Sequence, residues 1–311
     1  MTGAVEEDGE AASRVVLDAT VRFRQLLGSG RLIVAPGAFD PFTARITESL
    51  GFPAVYLGGN AMGIHLGTGQ PFITLTETVD CAVRTRRLVE SPLIVDAGAG
   101  FGDPAHTYRT VRELEAAGAA AIHIDDQPSP KRAHYHLGKG RVVPLPEIVD
   151  KLRVAVSARR NPDFVLIART DAYRTQSRTE TLARAQALAE TGIDMLMVLN
   201  LPLEDAPLFR RELPSTPLVW IGGHRAPMPT VSEIEGAGFQ LAVYPFTTVT
   251  AVADSVTRTW STVLTKGRPD HTEDLLAHTR QQAMDLIGMD EYYKIEKQTT
   301  ERDDPDNDMS T

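Results

Sequence analysis

The sequence predicts an α/β fold, a (β/α)8 TIM barrel with an extra C-terminal helix. Three observations carry this. Eight short apolar runs punctuate the 311 residues, at 32–36, 54–58, 93–97, 121–125, 164–170, 195–200, 217–223 and 241–247. Stretches with helical patterning separate them, and that alternation indicates a parallel sheet. Gly51, Gly118, Gly192 and Gly238 each follow a helical stretch and precede an apolar run, as C-cap glycines do. A barrel of this kind takes about 250 residues as one domain, so no second domain is required.

Each element has its own signal. Residues 1–12 are small and acidic and read as a disordered tail. The barrel domain spans 13–268, and its first helix, 15–27, is suited to closing the barrel bottom. Thr74 and Glu77 form a capping box before a helix through Val89. Asp103-Pro104 opens the next, with proline at the first helical position. Further helices are expected at 145–159, 178–191, 203–212, 230–237 and 248–264. Between the fourth run and its helix lies a connection of 126–144, much longer than the usual βα loop of about 2–6 residues, and its place over a barrel mouth suits a lid. A ninth helix over 271–290 falls outside the barrel count, in a segment, 269–290, read as an oligomerisation helix. Residues 291–311 read as a polar, acidic tail.

Composition excludes several function classes. The net charge is −9, and Arg84, Arg86 and Arg87 read as a solvated helix face, so nucleic acid is not an expected partner. A single cysteine, Cys81, rules out an intrachain disulfide and a cysteine metal cluster. No apolar run approaches the length of a membrane span, and the N-terminus lacks an apolar secretory segment. The expectation is a cytoplasmic protein with no membrane partner.

Chemistry in such a barrel sits at the C-terminal strand ends. Asp96 precedes a glycine-rich turn. His123 and Asp125 share one side of the fourth strand because strand side chains alternate, and Asp126 follows them. Three carboxylates at adjacent strand ends suggest a hard-cation site. Arg169 ends the fifth strand and suits bidentate carboxylate binding; an ion pair with Asp171 or Asp96 is the competing reading. Gly58, Gly59 and Asn60 offer backbone donors, and His224 follows the seventh run as a ligand, an acid/base group or a loop histidine. Cys81 reads as a buried small residue rather than a nucleophile.

Six stretches together resemble the phosphoenolpyruvate mutase/isocitrate lyase superfamily, nearest its 2-methylisocitrate lyase and carboxyphosphonoenolpyruvate mutase branch. They are 34–44 (VAPGAFDPFTA), 51–59 (GFPAVYLGG), 94–102 (IVDAGAGFG), 123–132 (HIDDQPSPKR), 167–172 (IARTDA) and 237–245 (AGFQLAVYP). The resemblance implies a TIM barrel, a homotetramer with an exchanged C-terminal helix, and Mg²⁺-dependent chemistry beside a carboxylate through an enolate. It implies a small carboxylate as substrate. It implies Asp40 in the active site, Asp96, His123, Asp125 and Asp126 in the metal motif, Lys131 on the mobile loop, Arg169 on the substrate carboxylate, and the Gly58 and Gly59 amides on a 2-oxo acid.

The departures are as specific. Where the family's lyases carry a loop cysteine as acid/base, this chain has Ala133. The second aspartate of the metal motif falls on Gly98, the glutamate of strand six on Leu199 beside Asn200, and the polar residue of strand seven near Ile221. Divalent-cation binding is therefore expected to be weak. His134, Tyr135 or His136 can stand in as proton carrier, with Tyr135 preferred. Alternatively His123 and His224 with Asp96 or Asp125 can form a two-histidine, one-carboxylate site. The expected function is a lyase for a small 2-oxo or 2-hydroxy carboxylate, by C–C cleavage or formation or by decarboxylation. The alternatives are altered chemistry on a bulkier substrate, with Leu199 and Trp220 in the mouth, or a non-catalytic carboxylate-binding barrel.

Overall fold

The computed structural model describes residues 18–134, 140–223 and 226–302. Eight parallel strands close a barrel in sequence order. They are β1 Ile33–Ala38, β2 Val55–Leu57, β3 Leu93–Asp96, β4 Ala121–Asp125, β5 Val165–Thr170, β6 Met195–Val198, β7 Leu218–Ile221 and β8 Phe239–Tyr244. Every predicted apolar run overlaps one strand; β1 continues two residues past its run, and β8 starts two residues before its own. Pairing of Ile33 with Leu241 and of Pro36 with Tyr244 seals β1 to β8.

The helices are α1 Ala19–Gly28, α2 Pro41–Ser49, α3 Gly59–His65, α4 Leu75–Arg86, α5 Pro104–Ala116 and α6 Leu145–Ala158, then α7 Arg178–Ala189, α8 Ala206–Glu212, α9 Val231–Gly236, α10 Thr247–Lys266, α11 Glu273–Leu286 and α12 Met289–Gln298. Local chemistry starts them. Thr74 with Glu77, Ser177 with Glu180 and Thr230 with Glu233 form reciprocal capping boxes, which satisfy amides that the first helical turn leaves unpaired. Gly118 and Gly192 end α5 and α7 at φ 83° and 91°, a conformation that a Cβ strongly disfavours.

Alternation along the strands splits the core in two. Inward positions such as Ile33, Tyr56, Ile94, Val165, Ile167, Met195, Met197, Val219 and Leu241 fill the barrel, and Phe23 of α1 joins them from below, fully buried. Outward positions such as Val55, Leu57, Val95, Ile122, Ile124, Leu166 and Leu218 pack against the helix ring. Arg24 of α1 donates to Asp194 at 2.7 Å, and Arg159 reaches the other oxygen of the same carboxylate, also at 2.7 Å. The expected bottom plug is thus packed and tied down.

The C-terminal segment departs from expectation. The single helix read over 271–290 is two, because the chain turns at Gly288 with φ 76°. The stretch 291–311, read as a polar tail, is helical as far as Gln298. On α10, Val252, Val256, Trp260 and Leu264 recur every four residues and are exposed. No helix among the described residues is long and apolar enough to cross a membrane.

Candidate active site

The rim at the C-terminal ends of β2 to β5 gathers the charged residues singled out above. Inward parity carries Tyr56, Asp96, His123, Asp125 and Arg169 to one buried cluster. Asp96 stands at its centre. Its Oδ1 accepts from the Gly98 amide at 2.8 Å, and its Oδ2 accepts from the Gly59 amide at 3.0 Å and Gln70 Nε2 at 3.3 Å. Burial works against its charge, but His123, Lys131 and Arg169 more than offset this and hold the carboxyl well below the usual range.

His123 lies 3.7 Å from Asp96 and shares a 2.8 Å hydrogen bond between its Nε2 and the Tyr56 hydroxyl. Its ring stacks on Tyr56, and its Nδ1 is buried with no hydrogen-bond partner among the described residues. Burial lowers its pKa, against the pull of Asp96. Asp125 is fully buried and accepts from Lys131 Nζ at 2.5 Å. Arg169 forks onto Asp171, with Nε at 2.9 Å and Nη2 at 3.3 Å, so the competing ion-pair reading is realised.

Several expectations need correction. Asp126 does not join the cluster. One step beyond Asp125, it faces the helix ring, where it accepts from Thr170 Oγ1, the Asp171 amide and Arg184 Nε at 2.6, 2.9 and 2.7 Å. Asp40 caps α2 through the Thr43 amide at 2.7 Å. Gly59, expected to offer its amide to a substrate, gives it to Asp96. Gly58 is the N-cap of α3, and Asn60 is half-buried in its first turn. Trp220 belongs to the outer core, tilted against Tyr244 at 5.0 Å, rather than to the mouth. Its ring also explains Gly222, where a Cβ would lie 2.1 Å from it. His134 is exposed, while Tyr135, His136 and His224 lie outside the described residues. Burial pushes the Cys81 thiol up to about 11, which fits the inert reading.

As a Mg²⁺ site, Asp96, His123, Asp125 and Asp126 do not fit. Every oxygen of the three carboxylates already accepts from a protein donor, and one of those donors is an ammonium. Among the described residues, no three His, Cys, Asp or Glu side chains are arranged to hold a metal ion. In the two-histidine alternative, His123 shares its Nε2 with Tyr56, and His224 lies outside the described residues.

Beside the cluster opens a cavity of about 430 Å³. Gly59, Gln70, Asp96, Gly98 and Lys131 form its polar wall, and Pro71, Ile73, Leu75, Ala99 and Phe101 its apolar one, with Arg109 among the remaining lining residues. Lys151, buried under the turn after β3, donates to the Ala99 carbonyl at 2.9 Å and props that wall. Tyr56, Gln70 and Lys151 were not singled out from the sequence. Tyr56 was within reach, since it stands two positions before Gly58 on an inward parity; Gln70 and Lys151 carry no local signal.

Residues 23–264 match the phosphoenolpyruvate phosphomutase family. The chain belongs to that family. A 2,3-dimethylmalate lyase of Eubacterium barkeri is 32% identical over 286 residues, covering 90% of this chain and 98% of the relative. A 2-methylisocitrate lyase of Aeropyrum pernix is 35% identical over 282 residues, covering 90% of each. A solved oxaloacetate acetylhydrolase in complex with the inhibitor 3,3-difluorooxalacetate superimposes with a TM-score of 0.83 at 27% identity, covering 91% of this chain and 97% of that one. Three of the positions at which the sequence resemblance implied departures can be placed in the structure. Ala133 is exposed on the long loop, Leu199 is buried at the end of β6, and Asn200 beside it is exposed with φ 62°.

Proposed function

We propose that this chain is a carbon–carbon lyase for a small 2-hydroxy or 2-oxo carboxylate, acting through an enolate. The observation that carries the reading is the cavity of about 430 Å³ beside the strand-end cluster, lined by charged residues such as Asp96 and Lys131 and by apolar ones such as Ile73 and Leu75. Its size suits a small acid, and its apolar side suits a methyl-branched one. The relatives named for dimethylmalate and methylisocitrate support the same class. Arg169, oriented by Asp171, holds a carboxylate. A group on the long loop moves the proton: Tyr135 first, with His134 and His136 as the alternatives because Ala133 cannot. Gly59, Gln70 and Lys131 border the acid.

In the cleavage direction a base takes the proton of the 2-hydroxyl, and C2–O becomes a carbonyl. The C2–C3 bond breaks, and its electron pair passes to C3 and into the adjoining carboxylate as an enolate. A loop acid then protonates C3. The exposed apolar face of α10 together with α11 supports assembly as a homo-oligomer, read here as a tetramer.

The test is a panel of 2-hydroxy acids, including 2,3-dimethylmalate and 2-methylisocitrate, assayed for 2-oxo acid release. Tyr135→Phe should lower turnover on the best substrate by about 10²-fold or more with affinity nearly unchanged. A panel without turnover, on protein that binds the acids, would favour a non-catalytic carboxylate-binding barrel.

A further inference from the structure

We infer that the positive charge facing the bound acid in this chain is the Lys131 ammonium, standing where a divalent ion is expected. The inference rests on the carboxylate reading above and names the cation of that site. Three observations carry it.

The first is position. Lys131 Nζ lies 2.5 Å from the fully buried Asp125, and its own side chain is only 11% exposed. It lines the cavity beside Asp96, Gly59 and Gln70. Among the described residues Asp125 is its hydrogen-bonded partner, which takes one of three ammonium protons.

The second is room. Gly98 has φ +55°, and a Cβ built there would lie 3.4 Å from Lys131 Cε and 3.7 Å from Nζ. A longer side chain at 98 would project into the space the lysine fills. Gly98 is also fixed where it stands, because its carbonyl accepts from the Asp125 amide at 2.8 Å and its amide donates to Asp96.

The third is charge. A divalent ion needs several anionic oxygens with free lone pairs. Asp96 has both oxygens occupied by amide donors, and Asp125 is paired with the ammonium. The aspartate expected at 98 is absent, which removes one negative charge. With one carboxylate fewer, the wall has less negative charge to draw a divalent ion, and the ammonium already paired with Asp125 supplies the positive charge there. A largely buried ammonium stabilises the negative charge on the 2-hydroxyl oxygen as its proton leaves, by a charge-assisted hydrogen bond. Nothing covalent forms on the lysine; it donates and remains an ammonium.

Oxalate, a planar mimic of the 2-oxo acid that the cleavage releases, is the probe. Its binding is measured by titration calorimetry in EDTA and again in excess Mg²⁺, with Mn²⁺ binding followed separately by electron paramagnetic resonance. The parent should bind oxalate equally, within about twofold, in both buffers, and should show no Mn²⁺ site that Asp96→Asn abolishes. Lys131→Met should weaken oxalate by at least about tenfold, Lys131→Arg should retain part of the affinity, and Mg²⁺ should not rescue Lys131→Met. The double variant Gly98→Asp with Lys131→Met should acquire Mn²⁺ binding at least about tenfold tighter than the parent's, since aspartate tolerates the left-handed conformation.

Oxalate binding by the parent that requires Mg²⁺ overturns the inference while leaving the carboxylate reading standing. So does parent-like affinity in Lys131→Met. Absence of oxalate binding in every buffer defeats the carboxylate reading and the inference with it. The two parent measurements need no variant, so a misfolded substitution does not remove the test.

Discussion

One position separates Asp125, which faces the mouth, from Asp126, which faces Arg184 on α7, and the two carboxylates do different work. Burial, with Asp171 nearby, pushes the Asp126 carboxyl up to about 6; Arg184 and the Thr170 hydroxyl offset this only in part. The unfolded value is near 3.9. A carboxyl raised on folding contributes stability that is complete below the unfolded value and lost as pH climbs through the folded one. Denaturant stability of the parent, relative to Asp126→Asn, should therefore fall between about pH 4 and about pH 6, by up to about 3 kcal/mol. Parallel curves for the two proteins would remove that assignment. Arg169 allows a second test. Lysine keeps its charge but cannot span both oxygens of Asp171, so Arg169→Lys should weaken oxalate binding nearly as much as Arg169→Ala. Parent-like binding would discard the fork. At this scale the sequence was legible where alternation decides: His123, Asp125 and Arg169 face inward because Asp96 and its neighbours do. The same rule, applied one step further, turns Asp126 away. It says nothing of Arg184, 58 residues further on, because that partner depends on where a helix docks.

Among the elements, α1 is the most exacting, since a single ring closes the barrel floor. Phe23 is fully buried among Ile33, Tyr56, Ile94 and Val219. Phe23→Ala should cost about 3–5 kcal/mol in denaturant unfolding, as large-to-small changes in packed cores do. A loss under about 1 kcal/mol would mean that the floor collapses around the gap. The elements were the most readable level of this chain. Capping residues and helix-ending glycines mark their boundaries with side chains whose hydrogen bonds and φ values are local. What escaped was short or interrupted. Helix α3 has seven residues and opens on Gly59, which reads as a turn, and α11 breaks from α12 at a glycine inside a continuous helical pattern.

For the whole molecule, an unpartnered stripe along α10 bears on assembly. Val252, Val256, Trp260 and Leu264 are 41, 51, 61 and 89% exposed, a row that water disfavours and a second copy can cover. Light scattering should give a mass above that of one 33.9 kDa chain, and Trp260→Asp with Val256→Asp should shift it towards the monomer. A monomeric parent would reject the tetramer reading. The barrel's architecture was legible from its repeat of strand and helix, whereas its quaternary state is not carried by any repeat and rests on which apolar side chains find no cover within the chain. Closure of the sheet has a further consequence, during synthesis. Ile33 must wait for Leu241, 208 residues later, before its outer edge is hydrogen-bonded. At ribosomal speeds of about 5–20 residues per second, that edge stands open for roughly 10–40 s. A growing chain with an unpaired strand is a template for sticking to its neighbours on the same message. The interval between the first and last strands therefore exposes the nascent protein to aggregation, and chaperones that bind early would act within it.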